Sequence, residues 1–305
     1  MPTPSRPFRI LSDFDGVWTN QAFEASQVKL YLAAEASRIA NVSADFGIQH
    51  FARFETIVKS RPHEFGWAPD GRITAYVDED PFCESNAIAG YITKATGDAE
   101  AKLYRDAILG AGFSSIASFS DHCFLTATAH FRAEHPPALV ANATETLRQL
   151  HQIGAEVIVV SNSSAEKILG WFGAVGVDIS KALSNDAPHG VPFRVRGTAG
   201  KQFIGEKNTN ISVGGRSIFI DRPRYKTIIE EEKPDLIIGD VFSLDLALPS
   251  ILRRERNPAA PKTLVLRKHP HTPRWIMDTK AEGAIDAVVD DVFELVALVQ
   301  KLTTT

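Results

Sequence analysis

The stretch Phe8-Arg9-Ile10-Leu11-Ser12 is followed at once by Asp13-Phe14-Asp15-Gly16-Val17. The first five residues form a short and mostly apolar run, which is typical of a buried strand. Two carboxylates two positions apart, followed by glycine, then form a compact acidic turn at the end of that strand. Because ligand sites of open α/β sheets lie beyond the carboxyl ends of the strands, this turn is the first candidate for chemistry.

Four later apolar runs predict further strands of the same sheet, with helices between them. The predicted strands cover residues 157–160, 236–239, 263–266 and 285–289. The predicted helices cover residues 22–40, 99–110, 138–152, 165–174, 223–232 and 291–301. Strands that alternate with helices predict an α/β fold with a Rossmann-like parallel sheet and helices on both faces.

Two segments do not fit this alternation. Residues 180–215 are rich in glycine and carry apolar residues at alternate positions (Val191, Phe193, Val195), which predicts short antiparallel strands. The chain between Asp15 and Ser161 is far longer than one crossover helix needs. Within it, the alternating run at 72–77 is compatible with a small hairpin or with loops only.

Composition excludes several classes of protein. The chain has 305 residues, of which 44% are hydrophobic and 23% are charged, as in ordinary globular proteins. A net charge of −4 argues against a nucleic-acid binder that relies on a basic surface. No apolar run is long enough for a membrane span, and the first residues lack the apolar core of a signal peptide. The two cysteines, Cys83 and Cys123, are expected to be reduced, buried thiols of a cytoplasmic protein.

Polar residues also follow two of the later strands. Ser161-Asn162 comes directly after the run 157–160. Asp240 ends the strand at 236–239, and Asp245 stands five positions further on. Carboxylates from neighbouring strand ends make an oxygen-rich site that suits a hard cation such as Mg²⁺.

In this order, the motifs resemble those of the haloacid dehalogenase-like (HAD) hydrolase superfamily. Asp13-Phe14-Asp15-Gly16-Val17 matches its first motif, DxDGV. The run ending in Ser161 matches the second motif, and Gly239-Asp240 with Asp245 matches the fourth, GDxxxxD. The resemblance covers roughly residues 8–21, 135–176 and 216–302.

The resemblance implies a domain organisation as well. It predicts a discontinuous catalytic core at 1–20 and 135–305, which contains the β-rich insertion at about 180–215. A mainly helical cap domain is expected at 21–134, and its residues would select the substrate.

The resemblance also implies a phosphatase that acts on a small phosphorylated metabolite with the help of Mg²⁺. Asp13 would attack phosphorus and form an aspartyl-phosphate. Asp15 would protonate the leaving oxygen and then activate the hydrolytic water. Ser161 and Asn162 would bind the phosphoryl group.

The implied metal ligands are the Asp13 carboxylate, the main-chain carbonyl of Asp15 and Asp240. Asp245 would be a further ligand or would accept a hydrogen bond that supports the site. His269 and His271 lie beside prolines with no acidic or thiol neighbours nearby, so we expect a loop there and no metal pair.

The third motif of the superfamily is a cation that offsets the charge of nucleophile and phosphate. Arg222-Pro223 stands where a Lys-Pro pair is often found, and Lys226 follows one helical turn later. Lys201 is another candidate, although it lies in the predicted β-rich insertion. We favour Lys226 on residue type and Arg222 next on position; the two are not equivalent, because arginine is a bidentate clamp and lysine a point charge.

Other reactions and roles stay open at this point. Asp15 favours phosphoryl transfer over dehalogenation, because a halide leaves without needing a proton. The same residues would serve a phosphotransferase or mutase. A non-catalytic protein that keeps the fold for partner binding is a further alternative. Neither nucleic acid nor a membrane is an expected partner.

Overall fold

A computed structural model describes residues 6–179, 182 and 193–304. Contacts divide the chain into two compact units. The first unit is Met1–Asn20 with Pro137–Thr305, and the second is Gln21–Pro136. The cap role of residues 21–134 stays a prediction.

The described residues contain ten strands and eleven α-helices. In chain order, the strands are β1 (Phe8–Ser12), β2 (Gly66–Trp67), β3 (Ala75–Tyr76), β4 (Ala155–Val160), β5 (Phe193–Arg196), β6 (Asn210–Val213), β7 (Arg216–Phe219), β8 (Leu236–Gly239), β9 (Thr263–Arg267) and β10 (Ala287–Val289). The helices are α1 (Ala22–Ile39), α2 (Ala44–Ser60), α3 (Cys83–Lys94), α4 (Ala99–Gly110), α5 (Ile116–Glu134), α6 (Ala143–Gln152), α7 (Ala165–Ala174), α8 (Pro223–Glu232), α9 (Ala247–Arg254), α10 (Arg274–Ala281) and α11 (Glu294–Thr303).

A six-stranded sheet forms the centre of the first unit, and all its strand pairs are parallel. The strand order is β10-β9-β8-β1-β4-β5, so β1 lies between β4 and β8. In register, Ile10 of β1 is opposite Val157 on one side and Leu236 on the other. The α/β prediction is therefore confirmed, and the carboxyl ends of β1, β4 and β8 lie side by side.

The two faces of this sheet differ in chemistry. On one face, apolar side chains of the strands pack with α6, α7 and α11 in one continuous core. On the other face, Arg9 pairs with Glu156, and Arg194 pairs with both Glu156 and Glu232 of α8. These four charged residues are buried, and each carboxylate there has an arginine partner. Pairing of this kind is what allows charges inside a protein.

The segment between 180 and 215 differs from its prediction. Strand β5 is not part of an antiparallel insertion: it pairs in parallel with β4 and forms the edge of the main sheet. Its alternating pattern arises because Phe193 and Val195 enter the apolar core while Arg194 and Arg196 face α8. In the described part of this region, β6 forms an antiparallel pair with β7, which follows it. Val191 lies outside the described residues.

Most other predicted elements of the first unit are found within a few residues of their expected bounds. Helix α8 covers the predicted range, with Pro223 in its first turn. The helix predicted at 138–152 begins only at Ala143, because Asn142 adopts a left-handed conformation (φ 61°) and Leu139 pairs with Thr19 in a β-bridge.

The second unit is mainly helical and is built around its own core. Helices α1 to α5 surround an aromatic cluster that includes Phe51, Phe54 and the buried Tyr104. Strands β2 and β3 form a two-residue antiparallel pair, in which a Cβ on Gly66 would lie 2.1 Å from the carbonyl oxygen of Ala75. Helices α2, α3 and α5 were not predicted.

Two expectations from composition can be compared with the structure. Cys83 and Cys123 are both buried and are not in a disulfide. Among the described residues, no helix combines the length and apolar character that crossing a membrane requires.

Candidate active site

Three carboxylates converge at the carboxyl ends of β1 and β8. Asp13 directly follows β1, Asp240 directly follows β8, and Asp245 lies in the π-helical turn Phe242–Leu246. One carboxylate oxygen from each residue lies within 4.8 Å of the others. Asp240 and Asp245 are buried, so the cluster places several negative charges in a poorly solvated region.

Lys201 supplies the positive charge of this cluster. Its Nζ donates hydrogen bonds to Asp13 Oδ1 and to Asp245 Oδ1, both at 2.7 Å, and its side chain is only 3% exposed. Burial raises the pKa of Asp13 to about 7, against the opposing effect of Lys201. Burial alone would lower the pKa of Lys201, but the charges of Asp13 and Asp245 outweigh it and raise that pKa above its usual range.

The main chain of Lys201 is held from two sides by side chains. Its N–H donates to Asn162 Oδ1 at 2.8 Å, and its carbonyl oxygen accepts from Arg222 Nη1. Arg222 also donates through Nε to the carbonyl of Phe219, at 3.0 Å, and is almost completely buried. Asn162 as a phosphoryl-binding residue and Arg222 as a candidate for the third-motif cation stay predictions; in the structure both side chains bind the loop that carries Lys201.

Lys226 does not lie in the cluster, so the structure does not support its choice as the third-motif cation. The buried residues of α8 are Tyr225, Ile228, Ile229 and Glu232, which define its inner face. Lys226 falls on the outer face, where its Nζ lies 3.8 Å from Glu230 Oε1. Its place in the helical period therefore directs it to solvent, and the lysine at the carboxylates is Lys201.

Asp15 and Ser161 lie at neighbouring strand ends and are joined through a residue that was not predicted. Ser163 donates from its hydroxyl to Asp15 Oδ2 at 2.6 Å, and from its N–H to Ser161 Oγ at 3.1 Å. The other oxygen of Asp15 accepts from Lys167 Nζ at 2.8 Å. Ser163 and Lys167 follow the second motif closely in sequence, which is the signal by which they could have been found.

Asp245 is held in place by its backbone surroundings. Its Oδ2 accepts from the N–H of Val241 at 3.1 Å, and its carbonyl oxygen accepts from the Tyr225 hydroxyl at 3.0 Å. A Cβ on Gly239 would lie 2.3 Å from the Cβ of Asp245, so the close approach requires glycine at this position. Since Lys201 occupies Oδ1, both carboxylate oxygens of Asp245 already accept hydrogen bonds.

His269 lies in the loop between β9 and α10, as predicted, but it also reaches the site. Its Nε2 is 2.7 Å from the carbonyl oxygen of Gly16 and 3.7 Å from Asp240 Oδ2. Because a carbonyl oxygen only accepts, Nε2 carries the proton. Burial lowers the pKa of His269 to about 4. Its ring stacks on His271, with centroids 5.1 Å apart.

The chemistry of the donor set fits a small hard cation. All three clustered side chains offer carboxylate oxygens, which Mg²⁺ and Ca²⁺ prefer, and neither a thiol nor an imidazole is part of the group found in the described residues. Asp245 is the member whose two carboxylate oxygens are engaged by Lys201 and by the N–H of Val241. The residues present therefore suit a cation beside Asp13.

No family model matches the sequence, and no curated protein matches it. Many solved structures match it over nearly the whole chain, and HAD-like hydrolases are among them. A 2-haloacid dehalogenase of Pseudomonas syringae is 14% identical, with 97% of this chain and 99% of that one covered and a TM-score of 0.45. CbbY of Rhodobacter sphaeroides, in complex with phosphate, is 13% identical, with 95% and 96% covered and a TM-score of 0.45.

YfnB of Bacillus subtilis, described as a HAD-hydrolase bound to magnesium, is 11% identical to this chain. The match covers 97% of this chain and 100% of that one, with a TM-score of 0.43. At such identities and TM-scores these matches carry no statement about the activity of this chain.

Proposed function

We propose that this chain is a Mg²⁺-dependent phosphatase of the HAD type that hydrolyses a small phosphorylated metabolite. The observation that carries the proposal is the placement of Lys201 Nζ at 2.7 Å from both Asp13 and Asp245, in one cluster with Asp240. A buried ammonium beside a carboxylate nucleophile is the arrangement that an attack on an anionic phosphate requires.

Asp13 is the proposed nucleophile. Its carboxylate oxygen forms a bond to phosphorus while the bond from phosphorus to the leaving oxygen breaks, which gives an aspartyl-phosphate. Water then attacks phosphorus, and the Asp13–phosphate bond breaks to release inorganic phosphate. Two steps of this kind replace one more difficult displacement. Lys201 offsets charge on Asp13 as the phosphate approaches.

Asp15 is the proposed acid and base. It gives a proton to the leaving oxygen in the first step and takes one from water in the second. A dehalogenase would have no use for the first transfer, since a halide leaves unprotonated. The position of Asp15 two residues after the nucleophile therefore favours phosphate esters as substrates.

Mg²⁺ would be held by the carboxylates of Asp13 and Asp240 and by the main-chain carbonyl of Asp15. When bound, it supplies positive charge that reduces the repulsion between the carboxylate and the phosphate. Both carboxylate oxygens of Asp245 already accept hydrogen bonds, from Lys201 and from the N–H of Val241. Asp245 would therefore orient Lys201 beside the metal site.

The test is Mg²⁺-dependent hydrolysis of p-nitrophenyl phosphate by the purified chain, with Asp13→Asn as the variant. We expect turnover that disappears with a chelator and in Asp13→Asn. Asp278→Asn, at a position whose side chain is 64% exposed on α10, should retain the activity of the unmodified chain. Full activity of Asp13→Asn, or turnover unaffected by removing Mg²⁺, would contradict the proposal. A panel of sugar, nucleotide and organic-acid phosphates would then narrow the substrate.

A further inference from the structure

Three polar groups form a closed triangle at the first turn of α7. Lys167 Nζ lies 2.8 Å from Asp15 Oδ1 and 3.0 Å from Ser163 Oγ, and Ser163 Oγ lies 2.6 Å from Asp15 Oδ2. Each oxygen of the Asp15 carboxylate thus accepts from a different donor. The side chain of Lys167 is 11% exposed and that of Asp15 is 23% exposed, so the pair is sheltered from water.

The two donors are themselves held rigidly. Ser164 caps α7, its hydroxyl accepting from the N–H of Lys167 at 3.2 Å. The ammonium of Lys167 lies 5.7 Å from the ring centroids of both Phe14 and Trp171, which favours a fixed cation between two aromatic side chains. The carbonyl of Ser163 accepts from the N–H of Thr198 at 2.9 Å. Lys167 therefore belongs to α7 and Ser163 to the bend that precedes it, whereas Asp15 lies on a turn.

We infer that Lys167, together with Ser163, is a positioning residue that holds the Asp15 carboxylate where it exchanges protons with the leaving oxygen and with water. The inference rests on the proposed function. Lys167 transfers no proton itself: the proton passes from Asp15 to the leaving oxygen and returns to Asp15 from the attacking water. Each Asp15 oxygen that accepts one hydrogen bond keeps a second lone-pair site for that exchange.

The physical need for such a device follows from the charges around Asp15. Asp13 lies two residues away and bears a like charge, and the substrate adds another. An aspartate on a turn would be repelled by both and would leave the site. Two donors aimed at separate oxygens oppose that movement, and misplacement of a reacting group by about 1 Å costs on the order of 10²-fold in rate.

The test is the dependence of kcat/KM on the leaving group, because kcat/KM reports only the steps up to its departure. The leaving group of an alkyl phosphate is a strongly basic alkoxide, which needs the proton from Asp15. The leaving group of 2,4-dinitrophenyl phosphate is a weakly basic phenolate, which does not. We expect Lys167→Met to lower kcat/KM about 10²-fold for the alkyl ester and less than about 3-fold for the dinitrophenyl ester. Asp15→Asn should show the same selectivity, more strongly.

Three further variants separate positioning from folding. Ser163→Ala, which removes the second donor without burying a new group, should show the same selectivity in weaker form, and Lys167→Arg should restore part of the alkyl-ester activity. Lys280→Met, on an exposed position of α10, should match the unmodified chain for both esters.

An equal loss for both esters in Lys167→Met and Ser163→Ala would overturn the inference, since it would assign them to binding of the phosphoryl group itself. No loss for either ester would overturn it as well. If the unmodified chain hydrolyses neither ester with Mg²⁺, the proposed function fails and takes this inference with it.

Discussion

Replacing Lys201 by methionine removes the buried charge while keeping a side chain of similar length. Asp13 and Asp245 then lose their shared ammonium, which lies 2.7 Å from each. At an effective dielectric constant of about 20, each of these contacts is worth roughly 6 kcal/mol of Coulomb attraction before desolvation is subtracted. Burying the three charged groups costs several kcal/mol for each, so the net effect is much smaller than the sum.

The expected loss is about 3–5 kcal/mol in the free energy of unfolding, the usual result of removing one partner from a buried ion pair. Asp13 limits the loss, because it can take up a proton when the lysine is gone. The pKa of Asp13 is about 7 even with Lys201 present. We also expect kcat for an aryl phosphate to fall by about 10²–10³-fold, as for the loss of one donor that stabilises a transition state.

The assay compares Lys201→Met with Lys226→Met by urea denaturation and by kcat. Lys226 is the matched control, because it is a lysine on the exposed face of α8 with a partner only at 3.8 Å. Its replacement should change the free energy of unfolding by no more than about 0.5 kcal/mol and leave kcat unchanged. The reasoning is refuted if Lys201→Met keeps full turnover, or if Lys226→Met is the variant that loses it.

Four other outcomes follow from the structure. Because burial raises the pKa of Asp13 from 3.8 to about 7, Mg²⁺ must displace a proton from Asp13 at pH 6. Calorimetry should therefore show that the affinity for Mg²⁺ rises between pH 6 and 8. Equal affinities at the two pH values would contradict this expectation. Without the cation, the same raised pKa should make stability fall as pH rises from about 4 to about 7, since the folded chain keeps a proton that the unfolded chain releases. Glu232→Gln leaves the buried Arg194 with one carboxylate partner fewer. The free energy of unfolding, measured by urea denaturation, should fall by about 3 kcal/mol while kcat stays unchanged. A loss of kcat instead would link this charged face of the sheet to catalysis. Gly239→Ala places a methyl group 2.3 Å from the Cβ of Asp245, so kcat should fall at least about 10-fold in a chain whose circular dichroism is unchanged, and normal turnover would show that the turn can yield.

The acidic part of the site could be located from the sequence because of how parallel sheets are built. Asp13 and Asp240 each end an apolar run, and parallel strands bring such ends to one edge. Asp245 is tied to Asp240 by a short turn. These positions depend on local spacing and on the direction of the strands, which a single sequence reveals.

Helices α2, α3 and α5 could not be predicted in the same way. On α2 and α5, large apolar residues lie on the exposed face, including Phe46, Ile48 and Leu125, which reduces the contrast between the two faces. Helix α3 in addition buries small and polar residues such as Ser85 and Ala87. A pattern based on hydrophobic periodicity has little to detect in such helices.

The choice of Lys226 over Lys201 has a more specific cause, which lies in strand β5. Arg194 and Arg196 look like exposed residues of a two-sided strand, yet they pair with Glu232 across the sheet face. If β5 is assigned to an insertion, the loop that follows β5 is no longer expected at the edge of the main sheet. Lys201, which lies in that loop, is then not expected near the carboxylates. The partner carboxylates come from β4 and α8, and sequence spacing does not reveal such a pairing.

The position of Lys201 also explains why Asn162 and Arg222 bind the loop that carries it. A lysine at the start of a helix is held by the helix itself, whereas Lys201 lies in a loop and needs other support. Asn162 binds its N–H and Arg222 binds its carbonyl oxygen, so the two main-chain groups of one residue are fixed by side chains from two other segments. Residue type alone indicates affinity for phosphate in both cases. The structure shows that Asn162 Oδ1 and Arg222 Nη1 hold the main chain of the residue whose ammonium lies 2.7 Å from both Asp13 and Asp245.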